Sequence, residues 1–125
     1  MIRLAAASAL TAAMIVAATV PAAPAPAGKP NFDGAWSVLI VTEKGTCDRA
    51  YRYPIKIANG TVDYAGSASF TVTGKVGTNG AVTVTVSRGN QSANGSGRLS
   101  LSDGSGRWQT ASGECSGTWS AERRS

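Results

Sequence analysis

The sequence predicts an all-β domain: a small antiparallel up-and-down (meander) β-barrel of about eight strands, held by one disulfide and preceded by a signal peptide. Three observations carry this. From Phe32 onward, short runs alternate apolar and polar residues with period two, which puts successive side chains on opposite faces of a strand. Turn dipeptides such as Asn59-Gly60, Asn79-Gly80 and Gly89-Asn90 separate the runs at the roughly 8–12-residue spacing of all-β folds. Both ends of this region carry Gly-x-Trp (Gly34-Ala-Trp36 and Gly117-Thr-Trp119) and each supplies one cysteine, as expected if the last strand returns to the first.

Residues 1–27 read as a signal peptide and Pro/Ala linker. Arg3 is the charged start, Leu4 to Val20 is an uncharged Ala-rich run, and small residues and prolines follow as far as Ala27. Cleavage is expected after Ala27 or Ala22. The run is poor in Leu, Ile and Phe and is broken by proline, so stable membrane insertion is not expected. Residues 28–125 remain as a single barrel domain with a periplasmic or extracellular destination.

The first run of that domain, Ala35 to Glu43, is nearly continuous in apolar residues and ends at a Lys44-Gly45 turn. The second, Arg49 to Ala58, puts Tyr51, Tyr53, Ile55 and Ile57 on one face and Arg52, Pro54, Lys56 and Ala58 on the other. Pro54 has no N–H to give to a ladder, so a bulge or edge is expected there. Asn59-Gly60 is the residue pair of a type I′ hairpin, whose two central residues need positive φ. It leads to a short strand, Thr61 to Tyr64. Next come Ser69 to Val76, with Phe70, Val72 and Val76 on one face, and, after Asn79-Gly80, Ala81 to Arg88, with Val82, Val84 and Val86 on one face. In Ser92 to Leu101, the residues Ala93, Gly95, Gly97, Leu99 and Leu101 share a side. Asp103-Gly104 precedes the run around Trp108, and Ser112-Gly113 precedes Cys115 to Arg123, with Trp119 and Ala121 inward. Short links throughout favour a meander, and closure removes the exposed edges of a long open sheet.

Glycine weakens a strand, yet Gly74, Gly95, Gly97, Gly106 and Gly117 all fall inside predicted strands. Tight coiling of a small barrel is one reason, and room for a tryptophan over bare backbone is another. A ligand lying against that backbone is the functional alternative.

Charge and composition exclude several classes. Arg3 is one of 12 basic side chains, so the mature part carries 11 against 7 acids. The basic residues are scattered and Arg123-Arg124 is their only pair, so specific nucleic-acid binding is not expected; a weak attraction to anionic surfaces is. The chain has no histidine, which removes the usual catalytic base, and the acids Asp33, Glu43, Asp48, Asp63, Asp103, Glu114 and Glu122 are dispersed. No enzyme activity, cofactor or metal site is expected. Both methionines lie in the signal region, so haem would depend on tyrosine ligation at Tyr51, Tyr53 or Tyr64. Two cysteines in an exported domain are expected to pair, Cys47 with Cys115.

The most chemically marked stretch is Asp48-Arg49-Ala50-Tyr51-Arg52-Tyr53. Arg49, Tyr51, Arg52 and Tyr53 are candidate contacts for an anionic or planar ligand or for an envelope protein partner. The plainer reading places the tyrosines in the core and the arginines in solvent.

Asp33-Gly34-Ala35-Trp36 on the first strand, with Arg123-Arg124 on the last, resembles the calycin barrels, the lipocalins and their relatives. That resemblance implies barrel closure by Trp36, Trp119 and Arg123, with a tryptophan of the first strand against an arginine of the last. Lipocalins are longer and end in a helix that has no counterpart here. Phe-Asp-Gly-x-Trp, Cys-Asp-Arg-Ala-Tyr-Arg-Tyr-Pro and Cys-Ser-Gly-x-Trp-x-Ala-Glu-Arg-Arg together resemble a largely uncharacterised group of small exported β-proteins of alphaproteobacteria, some labelled for haem utilisation or adhesion. The function expected from all this is a non-catalytic binding or interaction module. The alternatives are a structural or adhesive envelope protein with a filled barrel and a haem-associated protein.

Overall fold

The alternating runs become eight strands in a computed structural model that describes residues 31–125. These are β1 (Gly34–Lys44), β2 (Ala50–Ala58), β3 (Thr61–Tyr64), β4 (Thr71–Val76), β5 (Ala81–Arg88), β6 (Gln91–Leu99), β7 (Asp103–Thr110) and β8 (Ser116–Arg123). The expected signal peptide and linker lie outside the described residues. Each strand pairs antiparallel with the next, and β8 pairs with β1 to close an eight-stranded barrel in chain order. In that closing ladder Val38 lies opposite Ala121 and Ile40 opposite Trp119. Closure joins the first and last strands, so neither is left as a free sheet edge along that ladder.

The period-two pattern decides which side chains fill the barrel. Trp36 and Val38 of β1, Ile55 and Ile57 of β2, Val62, Val72, Val82, Leu99, Trp119 and Ala121 form one buried cluster, joined by Phe32 from the segment before β1. The alternate positions of β4 to β7, Thr71, Thr73, Lys75, Thr83, Arg98 and Arg107 among them, are more exposed. A slip of one residue in any strand would exchange these two sets, so the hydrophobic pattern fixes the register.

Asn59 and Gly60 adopt φ of 51° and 74°, the two positive values a type I′ turn requires. At Asn79-Gly80 only Gly80 is left-handed, at 86°. The turn there is longer than two residues: the Gly80 N–H donates to the Gly77 carbonyl (2.9 Å) and the Gly77 N–H to the Ala81 carbonyl (2.8 Å). Leu101 departs from the expected face as well. β6 ends at Leu99, and Leu101, 57% exposed, sits in the following turn.

Pro54 lies in the middle of β2, opposite Ser37 of β1, with no bulge in that ladder. Its carbonyl accepts from the Ala65 N–H (3.1 Å), so its N side faces the same way, just past the end of β3. The missing donor therefore falls where β3 has already stopped. β3 is itself the shortest strand, and its ladder to β4 holds only Thr61 opposite Lys75 and Val62 opposite Gly74. Above that point the wall between β2 and β4 is made by the loop of residues 65–70.

The Cys47–Cys115 disulfide joins the β1–β2 loop to the residue before β8, with Cα atoms 6.2 Å apart. It closes a separation of 68 residues. In the chain-entropy model that is worth about 4 kcal/mol, a large part of the net stability of a domain this small.

Candidate functional site

The two ends of the barrel differ in how they are filled. At the floor, Trp36 is 1% exposed and its indole N–H donates to the Phe32 carbonyl (2.8 Å). The Arg123 guanidinium lies 5.6 Å from the Trp36 ring centroid. It donates to the carbonyls of Asn31 (3.0 Å), Leu101 (3.0 Å), Ser125 (3.2 Å) and Asp33. A single cation thus ties the entering segment, the β6–β7 turn and the C-terminus together over the floor tryptophan.

Two more tryptophans brace the wall by the same device. Trp119 of β8 lies opposite Gly106 of β7, and its indole N–H passes over that strand to the Ser96 carbonyl on β6 (3.1 Å). A Cβ on Gly106 would come within 2.6 Å of the Trp119 nitrogen, and one on Gly97 within 2.6 Å of the Trp119 ring. Trp108 of β7 lies opposite Gly117 of β8, and its N–H reaches the Val41 carbonyl on β1 (3.1 Å). Each indole crosses a glycine on the neighbouring strand to reach a carbonyl two strands away. Gly106 and Gly97 thus make room for Trp119, whereas a Cβ on Gly117 would meet the Val41 carbonyl and one on Gly74 the Thr83 carbonyl and Val84.

The other end opens into a cavity of about 570 Å³. Its shaft is apolar, with Val38, Ile55, Val72, Val82, Val84 and Val86 among its walls. Its mouth is aromatic. Tyr51, Tyr53, Tyr64 and Phe70 form a chain of tilted and edge-on contacts with ring centroids 5.6–6.4 Å apart, covering the gap that the short β3 leaves. Arg88, at the end of β5, places its guanidinium 5.2 Å from the Phe70 ring centroid. Among the described residues it has no hydrogen-bond or ion-pair partner; the ion pairs are Arg107–Glu43 and Arg124–Glu122. Asp48 and Glu114 line the disulfide side of the mouth. Burial pushes the Tyr53 hydroxyl up to about 12, because the phenolate would lose its water.

The residues singled out in the sequence fall on both sides of the wall. Tyr51 and Tyr53 point into the lumen, Tyr51 being 38% exposed at its rim. Arg52 alternates outward and donates to Ser37 Oγ (3.0 Å), and Arg49 is exposed in the β1–β2 connection. The structure therefore does not gather Arg49, Tyr51, Arg52 and Tyr53 into one cluster. Trp36 and Arg123 do meet at the floor, while Trp119 braces the wall above it. The mouth cation is instead Arg88, one of the scattered basic residues of the sequence. Its signal was available: Arg88 is in phase with Val82, Val84 and Val86. Phe70 joins the site, with Tyr64 packed against it, where β3 has stopped.

A second concavity, of about 910 Å³, lies along the strands from β3 to β8 and is lined mainly by polar residues, Thr73, Thr85, Asn94 and Gln109 among them. Glu43 takes up Arg107 beside it (3.0 Å). Of its lining cations, Lys75 and Arg107, the second is paired, and its aromatic ring, Trp108, has its N–H taken by the Val41 carbonyl. The apolar lumen is the stronger candidate. No protein-family model matches the chain, and no curated protein matches it.

Proposed function

We propose that this protein is a non-catalytic, exported binding module that takes a small, largely apolar molecule into its barrel. The observation that carries this reading is the unequal filling of the barrel: a packed floor under a cavity of about 570 Å³ lined mainly by aliphatic and aromatic side chains. That volume lies in the range of small-molecule sites, and a mostly apolar lining with a few polar groups is their usual composition. From Val82 near the floor to Arg88 at the rim the shaft runs about 15 Å, taking a rise of ~3.3 Å per residue and a strand tilt of ~40°.

Other features support the reading. A structural or adhesive protein with a filled barrel has no use for such a lumen. The outward positions of β4 to β7 are polar, the reverse of the apolar outer band of a membrane barrel. The disulfide is compatible with an oxidising compartment, in keeping with export.

Titration of the purified domain with N-phenylnaphthylamine, a neutral apolar fluorophore, tests the reading. Saturable uptake is expected, accompanied by a change in tryptophan emission from Trp108 beside the cavity. Val84→Trp and Ala93→Phe each fill the shaft and should abolish uptake while strand circular dichroism is retained. Absence of saturable uptake, or equal uptake by the filled variants, would overturn it.

A further inference from the structure

We infer that the lumen selects amphiphiles with one anionic headgroup, and that Arg88 is the residue that reads the charge. The inference rests on the reading of the lumen as a binding site and specifies its ligand class. Arg88 is solvent-exposed at the rim and, among the described residues, has no carboxylate partner. It continues the inward-facing register of Val82, Val84 and Val86 and lines the cavity, and its guanidinium rests on Phe70, 5.2 Å from the ring centroid. The cation–π contact holds the guanidinium near Phe70, and its N–H groups have no protein partner among the described residues. An unpaired fork at the top of an apolar shaft suits a carboxylate, sulfate or sulfonate attached to an apolar tail.

The surrounding groups sharpen the selection. The Tyr51 ring packs on Phe70 with centroids 5.7 Å apart, on the β2 side of the mouth. Among the described residues neither the Tyr51 nor the Tyr53 hydroxyl has a hydrogen-bond partner, although both residues line the same cavity. They are therefore available to donate to a headgroup held at Arg88. Asp48 and Glu114 stand on the disulfide side, toward β1 and β8, whereas β5 lies half-way round the ring from β1. A headgroup with a second negative charge, or one placed away from Arg88, meets repulsion from that side. A cationic headgroup would find Asp48 and Glu114 only where no aromatic ring covers them. The arrangement favours one negative charge, held on the β5 side, with the tail directed down between Val72, Val84 and Ile55.

Displacement of N-phenylnaphthylamine by dodecanoate, dodecanol and dodecyltrimethylammonium, at neutral pH and below the micellar range, tests this. The intact domain should prefer dodecanoate over dodecanol by about tenfold or more, the size expected of a charge-assisted hydrogen bond, and should bind the cation least. Arg88→Met should bring dodecanoate down to the level of dodecanol, and Arg88→Lys should keep part of the preference. Dodecyl phosphate, doubly charged at alkaline pH, should lose affinity as its second proton leaves. Equal binding of dodecanoate and dodecanol by the intact domain, or a preference that survives Arg88→Met, would overturn the charge assignment while leaving the lumen reading standing. If none of the three displaces the fluorophore from a domain that binds it saturably, the ligand class is wrong. If the fluorophore itself fails to bind, the lumen reading falls and the charge assignment with it.

Discussion

The floor and the mouth of this barrel are built from the same alternation of residues and come out opposite. At the floor an indole, an arginine and several aliphatic side chains fill the cross-section, and every polar atom of the plug has a partner: Trp36 donates to Phe32, and Arg123 donates to four carbonyls. At the mouth Tyr51, Tyr53 and Phe70 line one side of an opening, with Tyr64 packed against Tyr53 and Phe70, and the cation over Phe70 has no polar partner in the described residues. The difference teaches what each end is for. Satisfied polar groups around a packed ring give stability, whereas unsatisfied groups around a hollow keep their bonding capacity for something else. A protein selected only for a stable shell would gain from pairing Arg88 and from filling the shaft.

The contrast can be broken most forcefully at the floor. Trp36→Ala should cost about 3–5 kcal/mol in chemical denaturation, since the surrounding strands cannot collapse into the space of a buried indole. Removing the disulfide with Cys47→Ser and Cys115→Ser should cost about 4 kcal/mol on the same measurement. It should also loosen the mouth, because the bridge ties the β1–β2 loop there.

Tyr53 sits between the two regimes and gives a pH signature. Its hydroxyl is raised from 10.0 to about 12 by burial, so the folded state holds the proton more tightly than the unfolded chain does. Its contribution is fully present below pH 10 and is lost as pH rises through about 12. The loss amounts to about 2–3 kcal/mol across that window. Denaturation curves of the intact domain and of Tyr53→Phe, measured through the alkaline range, should converge at neutral pH and separate above pH 10, with the variant losing less.

Gly106→Val sharpens the comparison along the wall. A side chain there meets the Trp119 ring and the Ser96 carbonyl, and the expected cost is about 1–3 kcal/mol with a shift in tryptophan emission. The smallest effect belongs to the mouth: Arg88→Met should change stability by no more than about 0.5 kcal/mol while altering ligand preference. A large destabilisation by Arg88→Met would make that residue part of the scaffold and erase the distinction between the two ends.

Much of the fold was legible in the chain because a half-buried strand writes its burial in every second residue. Tyr51, Tyr53, Ile55 and Ile57 share a face in both sequence and structure, and the returning last strand was announced by paired Gly-x-Trp and cysteine positions. Local signals were less complete where turn length mattered. Asn59-Gly60 obeys its dipeptide, but Asn79-Gly80 belongs to a longer loop closed by Gly77, and Leu101 leaves the strand with the turn.

By itself, then, the sequence determined the strand number, their order, the inward set and the disulfide, because these follow from period, turn chemistry and the count of cysteines. Only the tertiary structure decided that Trp119 uses a glycine of the neighbouring strand, that the early end of β3 leaves an aromatic mouth, and that Arg88 rather than Arg49 or Arg52 overlooks the lumen. Those outcomes depend on which residues stand opposite one another across the barrel. That follows from ladder offsets and closure, which no run of residues along one strand contains.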